Sequence, residues 1–205
     1  MRPSFPLAAC AALALVSIPA SVVRAAADLE PAAQTIDAFD QALIATMKQG
    51  PSLGVKGRYK KLEPAVERTF DLKAMARFAV GPAWSKFSEG DQALVVEAFT
   101  RLSVASYAHN FDSYSGETFQ IDPNVDTRGV DKIVKTTLTS GQEAPVALNY
   151  RLRATTGTWK AIDVFYKGSV SQLTTRRSDL AAVSAGGDAK AIAANLNAQA
   201  DKLLK

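Results

Sequence analysis

The sequence predicts an α+β domain, with an antiparallel sheet of about four strands and helices before and after it. Three observations lead there. Up to residue 113 the apolar residues recur at spacings of three and four, as on one face of a helix. From 118 to 166 they alternate, as on strands whose two faces meet different surroundings. Beyond 170 the helical spacing returns. A run of strands set between runs of helices belongs to the α+β class. Strands joined by short turns are antiparallel, so the sheet reads as a meander.

Length and composition agree with a single domain, with or without a removable leader. The chain has 205 residues, of which 47% are hydrophobic and 21% charged, the balance of an ordinary globular protein. The formal charge of +4 falls to about +2 once Arg2 and Arg24 are set aside with the leader. A charge so small and so evenly spread argues against nucleic acid as a partner.

The N-terminus reads as an export signal over residues 1–25. Arg2 precedes an apolar run at 7–18, shorter than the roughly 20 residues that span a bilayer. Pro19 breaks that run, and small residues allow cleavage after Ala25 or Ala27, leaving a single domain over 28–205. Leu7-Ala8-Ala9-Cys10 spells a lipoprotein box, but here the apolar run follows the cysteine instead of preceding it. Cys10 is the only cysteine, so the mature chain carries neither disulfide nor thiol chemistry. The expected location is the periplasm.

The elements follow in order. Residues 29–48 form an amphipathic helix on Ile36, Phe39, Leu43 and Met47, ended by Gly50-Pro51. Residues 53–69 form a second, with Leu62, Val66 and Phe70 in register and Pro64 expected to start a new turn or kink it. Asp71 caps a short helix at 72–80, with Leu72, Met75, Phe78 and Ala79 as its buried face and Gly81-Pro82 as its stop. Ser88 and Asp91 open the longest helix, 89–113, about 37 Å long. Its ridges are Leu94, Ala98, Leu102 and Ala105, and beside them Val95, Phe99, Ser106, Tyr107, Asn110, Phe111 and Tyr114. Strands follow at 118–122, 131–140, 144–154 and 159–166, with turns at Gly141-Gln142 and Thr156-Gly157. The last strand places Ile162, Val164 and Tyr166 on one side and Trp159, Ala161, Asp163 and Phe165 on the other. Large apolar groups on both sides mark it as central. Helices at 171–184 and 188–205 close the chain, the second packing Ile192, Leu196, Leu203 and Leu204 on the domain or, alternatively, on a membrane.

Few residues offer chemistry. His109 is the only histidine, and Asp112 lies three residues on, the arrangement of a general base with its orienting acid. No nucleophile is fixed by spacing beside them, and an exposed histidine near a helix end accounts for the pair as well. Asp163 is a carboxylate between apolar neighbours, either an acid with raised pKa or, more simply, an acceptor for amides of the turn at 169–171. One histidine and no mature cysteine cannot supply the usual zinc ligands, so no metal and no cofactor is expected. Glycine-rich phosphate loops and nucleophile elbows are absent from the sequence. The feature that stands out is aromatic. Tyr107, Phe111, Tyr114, Tyr150, Trp159, Phe165 and Tyr166 gather at the end of the long helix and on nearby strands. A cavity lined by such groups, apolar in body and polar at the tips, suits an amphiphilic ligand; ordinary core packing is the alternative.

These residues carry a family resemblance. Met75-Ala76-Arg77-Phe78-Ala79-Val80-Gly81-Pro82-Ala83-Trp84 resembles a segment of the periplasmic lipid-binding proteins of the Mla (toluene-tolerance) transport system. So do Ala98-Phe99-Thr100-Arg101-Leu102 with Tyr107-Ala108, and Tyr114-Ser115-Gly116-Glu117 after them. Trp159-Lys160-Ala161-Ile162-Asp163-Val164 with Gly168-Ser169-Val170-Ser171 resembles the family's strand-to-helix signature. The likeness spans nearly the whole mature chain and is closest to the branch associated with hopanoid biosynthesis (HpnM-like). It departs from the phospholipid branch at 170–177, where the family's head-group helix has a different run.

The resemblance implies a twisted sheet whose helices enclose an apolar pocket, no enzymatic activity, and a carrier of a phospholipid or hopanoid. It implies two partners, an inner-membrane ABC lipid transporter and an outer-membrane lipid donor or acceptor, with transient contact at membrane surfaces. Together with the aromatic cluster it nominates as lipid-binding Phe78, Trp84, Leu102, Tyr107, Phe111, Leu138, Leu148, Tyr150, Leu152, Val164 and Tyr166. The competing readings are a small α+β (NTF2-like) enzyme for a hydrophobic substrate, using His109 with Asp112 or Asp163, and an adaptor that binds only proteins.

Overall fold

The computed structural model describes residues 29–141 and 144–205. The expected leader, its cleavage positions, Cys10 and Gln142 of the expected turn lie outside the described residues. Among the described residues four helices precede the sheet: α1 (Pro31–Met47), α2 (Gly50–Thr69), α3 (Leu72–Val80) and α4 (Glu89–Asn110), with a 3-10 turn, Gly81–Lys86, between the last two. Six strands follow: β1 (Thr118–Ile121), β2 (Asp126–Arg128), β3 (Asp131–Thr139), β4 (Val146–Thr155), β5 (Thr158–Tyr166) and β6 (Val170–Ser171). Helices α5 (Gln172–Ala185) and α6 (Ala189–Leu203) end the described chain.

Most helix signals act as expected. Asp71 accepts from the Ala74 amide at 3.0 Å to start α3, and Gly81, at φ 73°, ends it. Ser88 accepts from the Asp91 amide at 3.1 Å to start α4. The start of α2 and the buried face of α3 differ from expectation: Gly50 and Pro51, expected to end α1, are the first residues of α2. Helix α2 runs on through Pro64 without a break, and its non-helical residue is Gly54 (φ 60°, ψ 172°). Buried Leu62, Ala65 and Val66 hold the helix on the core on either side of the proline, and such packing outweighs one missing hydrogen bond. Phe78 is not on the buried face of α3. It lies six residues beyond Leu72, some 240° round the helix, and is 44% exposed, whereas Leu72, Ala76, Ala79 and Val80 are buried.

Helix α4 stops at Asn110 because Phe111 leaves the helical region (φ −111°, ψ 67°). It buries Val95, Ala98, Phe99, Leu102, Val104, Ala105 and Ala108 on more than one side, since α2 and α3 pack on one flank and α6 on another. Helix α6 commits Ile192, Leu196 and Ala200 to that contact, and Arg101 reaches across it to the Asn197 carbonyl (3.2 Å) and the Asp201 carboxylate (2.5 Å). Its apolar face is therefore core, not a membrane anchor.

The sheet is antiparallel in the order β1-β3-β4-β5-β6, with β2 also on β3, so the described strands number six where about four are expected. Both extra strands are short. β1 and β2 are two pieces of one edge lying along β3, separated at 122–125, where Pro123 cannot donate to a ladder. β6 is a two-residue pairing of Val170 and Ser171 with Tyr166 and Phe165. β5 therefore lies next to a minimal edge strand, and the central strands are β3 and β4.

A bulge redirects β5. Leu152 pairs with Ala161 and Arg151 with Asp163, so Ile162 is an extra residue without a partner. Cross-strand partners share a face. Trp159, Ala161, Val164 and Tyr166 therefore lie on one face with Ala154, Leu152, Tyr150 and Leu148, while Asp163 and Phe165 lie on the other. The sequence expectation of Trp159 and Ala161 opposite Val164 and Tyr166 is overturned by this one residue. On the face of Asp163, Asp131 (1% exposed) accepts from Arg153 Nε (2.6 Å) and Nη2 (2.9 Å) and from Arg151 Nε (2.6 Å). Those guanidiniums hold the Asp131 carboxyl below its usual pKa.

Candidate functional site: an apolar cavity with a polar mouth

A cavity of about 210 Å³ lies between the second half of α4, the sheet, and the starts of α3 and α5. The sheet contributes Leu148, Tyr150, Val164 and Tyr166, which the register places on one face. Helix α4 contributes Phe99, Ser103, Ser106, Tyr107 and Asn110, successive positions of one helical stripe, and Phe111 follows at its C-cap. The approach to α3 adds Phe70, Leu72 and Met75, and α5 adds Gln172, Leu173 and Arg176.

The polar groups are arranged by position. Ser103 and Ser106 donate to the carbonyls of Phe99 and Leu102 within α4, both at 2.8 Å, so neither brings an unpaired donor to the wall. Asn110, Tyr166 and Gln172 are exposed and mark the mouth. Arg176 stands between mouth and interior, donating to Gln199 Oε1 at 2.8 Å, and burial pulls its pKa below the usual guanidinium value.

Aromatic rings build the inner wall. Tyr107 packs edge-on against Phe39 (5.0 Å between centroids) and lies 5.6 Å from Phe70 and 5.9 Å from Phe111, which continues to Phe119 at 6.3 Å. Behind this wall sits Asp40 of α1, 3% exposed, with neither carboxylate oxygen hydrogen-bonded among the described residues. Burial first, and the nearby Asp37 second, push its pKa to about 8. Burial likewise raises the phenols of Tyr107 and Tyr150, and the neighbouring Asp40 adds to both shifts.

Asp163 holds α5 against the cavity. Its Oδ1 accepts from the amides of Leu173 (3.1 Å) and Val164 (2.7 Å), and its Oδ2 from the Ser171 hydroxyl at 2.6 Å. Ser171 in turn accepts from the Thr174 amide at 2.9 Å and caps the helix. All these bonds are structural, and they position Leu173 and Arg176.

Of the eleven nominated residues, six stand on this wall: Tyr107, Phe111, Leu148, Tyr150, Val164 and Tyr166. Five stand elsewhere. Phe78 and Trp84 line a separate groove. Leu102 is buried where α4 faces the end of α6, and Leu152 is fully buried core opposite Ala161. Leu138 lies toward the other end of the sheet, between Phe119 and Val146. Phe99, Ser106 and Asn110 share the stripe of Tyr107 and Phe111, so periodicity could have nominated them. Asp40 gives no sequence signal beyond a charge on the apolar side of α1. His109 and Asp112 are both exposed, and Asp112 accepts from Ser113 at 2.8 Å; no hydrogen bond joins the pair among the described residues.

No curated protein matches the chain. The fold is similar to a solved structure of the phospholipid-binding protein from Ralstonia solanacearum in complex with a phospholipid. The TM-score is 0.74 at 21% identity, over 86% of this chain and 100% of that one. Residues 37–198 match the family model described as MlaC protein, a stretch that runs from α1 into α6 and includes every wall of the cavity. The chain belongs to the MlaC protein family.

Proposed function

We propose that the protein is a periplasmic lipid carrier, exported by a cleavable leader. It shuttles a phospholipid or hopanoid between inner and outer membranes as the soluble component of an ABC-type lipid transport system. The observation that carries this reading is the cavity: rings and aliphatic side chains inside, amide and guanidinium groups at the mouth. Such a site takes an amphiphile tail first and leaves its head group near water. The wall groups suit holding a ligand. Partners would be the inner-membrane transporter and an outer-membrane donor or acceptor, met in transient contact with each membrane surface.

Energetics agree. At roughly 30 Å³ per methylene, close to one water's share of the liquid, 210 Å³ admits about seven methylenes. Their burial is worth about 6 kcal/mol at ~0.8 kcal/mol each. A membrane lipid is larger, so the cavity must widen to seat one. The phospholipid named with the Ralstonia structure supports that ligand class, and the sequence likeness to the hopanoid-associated branch supports the polycyclic alternative.

The test is solvent extraction and mass spectrometry of protein purified from its native periplasm, beside a Leu148→Trp variant. Wild type should release a stoichiometric lipid. The variant, whose indole fills the cavity from the sheet side, should keep its fold by circular dichroism and lose at least nine-tenths of that lipid. A wild-type protein that yields no lipid and takes none from vesicles would sink the reading.

A further inference from the structure

We propose that a second groove, beside α3, binds an extended acidic peptide segment of a partner protein. The peptide's carboxylates would meet Lys73, Arg77 and Arg177, and an apolar side chain would meet Phe78. The groove has a volume of about 1010 Å³ and is walled by α3, the 3-10 turn and the outer side of α5. It shares no lining residue with the lipid cavity, so the proposal stands apart from the carrier reading.

Its charges are uncompensated. Lys73, Arg77 and Arg177 are exposed, and no carboxylate lies within ion-pair distance of them among the described residues. The fourth cation, Arg153, is already paired with Asp131. Among the described residues the one acid lining the groove is Asp71, and it is occupied, accepting from the Ala74 amide and from Thr155 Oγ1 at 3.3 Å. Helix stability accounts for Arg77, in the last turn of α3 where the dipole favours a cation, but not for Lys73. Lys73 sits in the first turn of α3, where the helix dipole disfavours positive charge.

The groove is also ordered by its own contacts. The Arg177 guanidinium lies 5.0 Å from the Phe78 ring centre, which keeps a 44%-exposed aromatic face beside a fixed charge. A Cβ on Gly81 would come within 3.2 Å of Arg177 Nη2, so the glycine leaves the space this guanidinium occupies. Cations around an aromatic in a concave groove fit the alternating side chains of a peptide. A bilayer is flat and would reach protruding groups first. Two neighbours on α5 thus face different ligands, Arg176 the cavity and Arg177 the groove.

The test uses the full mature chain and a short labelled peptide alternating glutamate and phenylalanine, read by fluorescence anisotropy. A peptide with lysine in place of glutamate and phosphatidylglycerol vesicles serve as controls. The acidic peptide should bind, more weakly as salt is raised. A Lys73→Glu/Arg77→Glu variant should bind it at least about tenfold more weakly, because like charges now face each other. Its thermal stability and lipid content should equal wild type, which separates loss of the groove from misfolding. Phe78→Ser should weaken the same peptide. Equal binding of the acidic and basic peptides, or unchanged affinity in the double variant, would overturn the proposal. So would charge-dependent binding of the vesicles with none of the peptide.

Discussion

Asp40 makes a prediction whose size follows from its surroundings. A carboxyl that titrates near 3.8 when exposed is held at about 8 in the fold, mainly by burial. Between those values the folded protein keeps a proton that the unfolded chain has released, so stability falls as pH rises. The sign is therefore the reverse of an ion-paired carboxylate. The penalty is absent below pH 3.8, grows by about 1.4 kcal/mol per pH unit, reaches about 4 kcal/mol at pH 7, and levels off above pH 8. Asp40→Asn keeps the shape and removes the titration. Urea unfolding of both proteins from pH 5 to pH 8.5 isolates the effect, because every other titrating group cancels in the difference. The variant's advantage should grow by about 3 kcal/mol from pH 5 to pH 7, or roughly 6–12 °C in Tm. Tyr107 and Tyr150 do not interfere, since both phenols are raised out of this window. A difference that stays flat with pH would refute the reasoning, because it would mean that Asp40 is ionised and has a partner.

Two other perturbations test the frame around the cavity. Asp163→Ala leaves the Leu173 amide and the Ser171 hydroxyl without their acceptor, and should cost about 2–3 kcal/mol with faster hydrogen exchange confined to the first turn of α5; exchange unchanged there would show that the clamp does not hold the helix. Gly50→Ala would place a Cβ 1.9 Å from the backbone oxygen of Asp112, and Arg58 already ties this corner by donating to the carbonyls of Gly50 (3.0 Å) and Ala108 (2.7 Å). With backbone on both sides and nothing flexible to move, the variant should lose about 3 kcal/mol in chemical unfolding, and a neutral result would contradict the close approach.

The sequence carried most of this architecture wherever a signal was local. Caps at Asp71 and Ser88, the glycine stop at Gly81 and the left-handed Thr156-Gly157 turn were all legible because each depends on a few adjacent residues. The stripe from Tyr107 to Phe111 was legible because helical spacing gathers it. Signals failed where they were tertiary. Phe78 looks like a core residue by composition, yet its angle on a nine-residue helix carries it outward. Leu102 and Leu152 were nominated with the cavity, but apolar spacing cannot distinguish a wall from the core behind it. Asp40 is not legible in the sequence because the cost of a buried carboxylate depends on what covers it, here the aromatic wall, and nothing in α1 alone records that.

β5 shows how much one unpaired residue can decide. With strict alternation Trp159, Ala161 and Asp163 would share a face, and Val164 and Tyr166 would take the other. Such a strand could cover the helices near its start or the cavity near its end, but not both on the same side. The extra residue Ile162 resets the alternation midway, so Trp159, under Lys132, and Ala161, bridged to Phe70, share a face with Val164 and Tyr166, which reach the cavity wall. The same reset turns Asp163 to the opposite face, where β6 delivers the first turn of α5 to its carboxylate. Wall and clamp are consecutive residues that point apart because a bulge precedes them. It follows that the position of α5, and with it Leu173 and Arg176 at the cavity, depends on a register shift in the strand opposite.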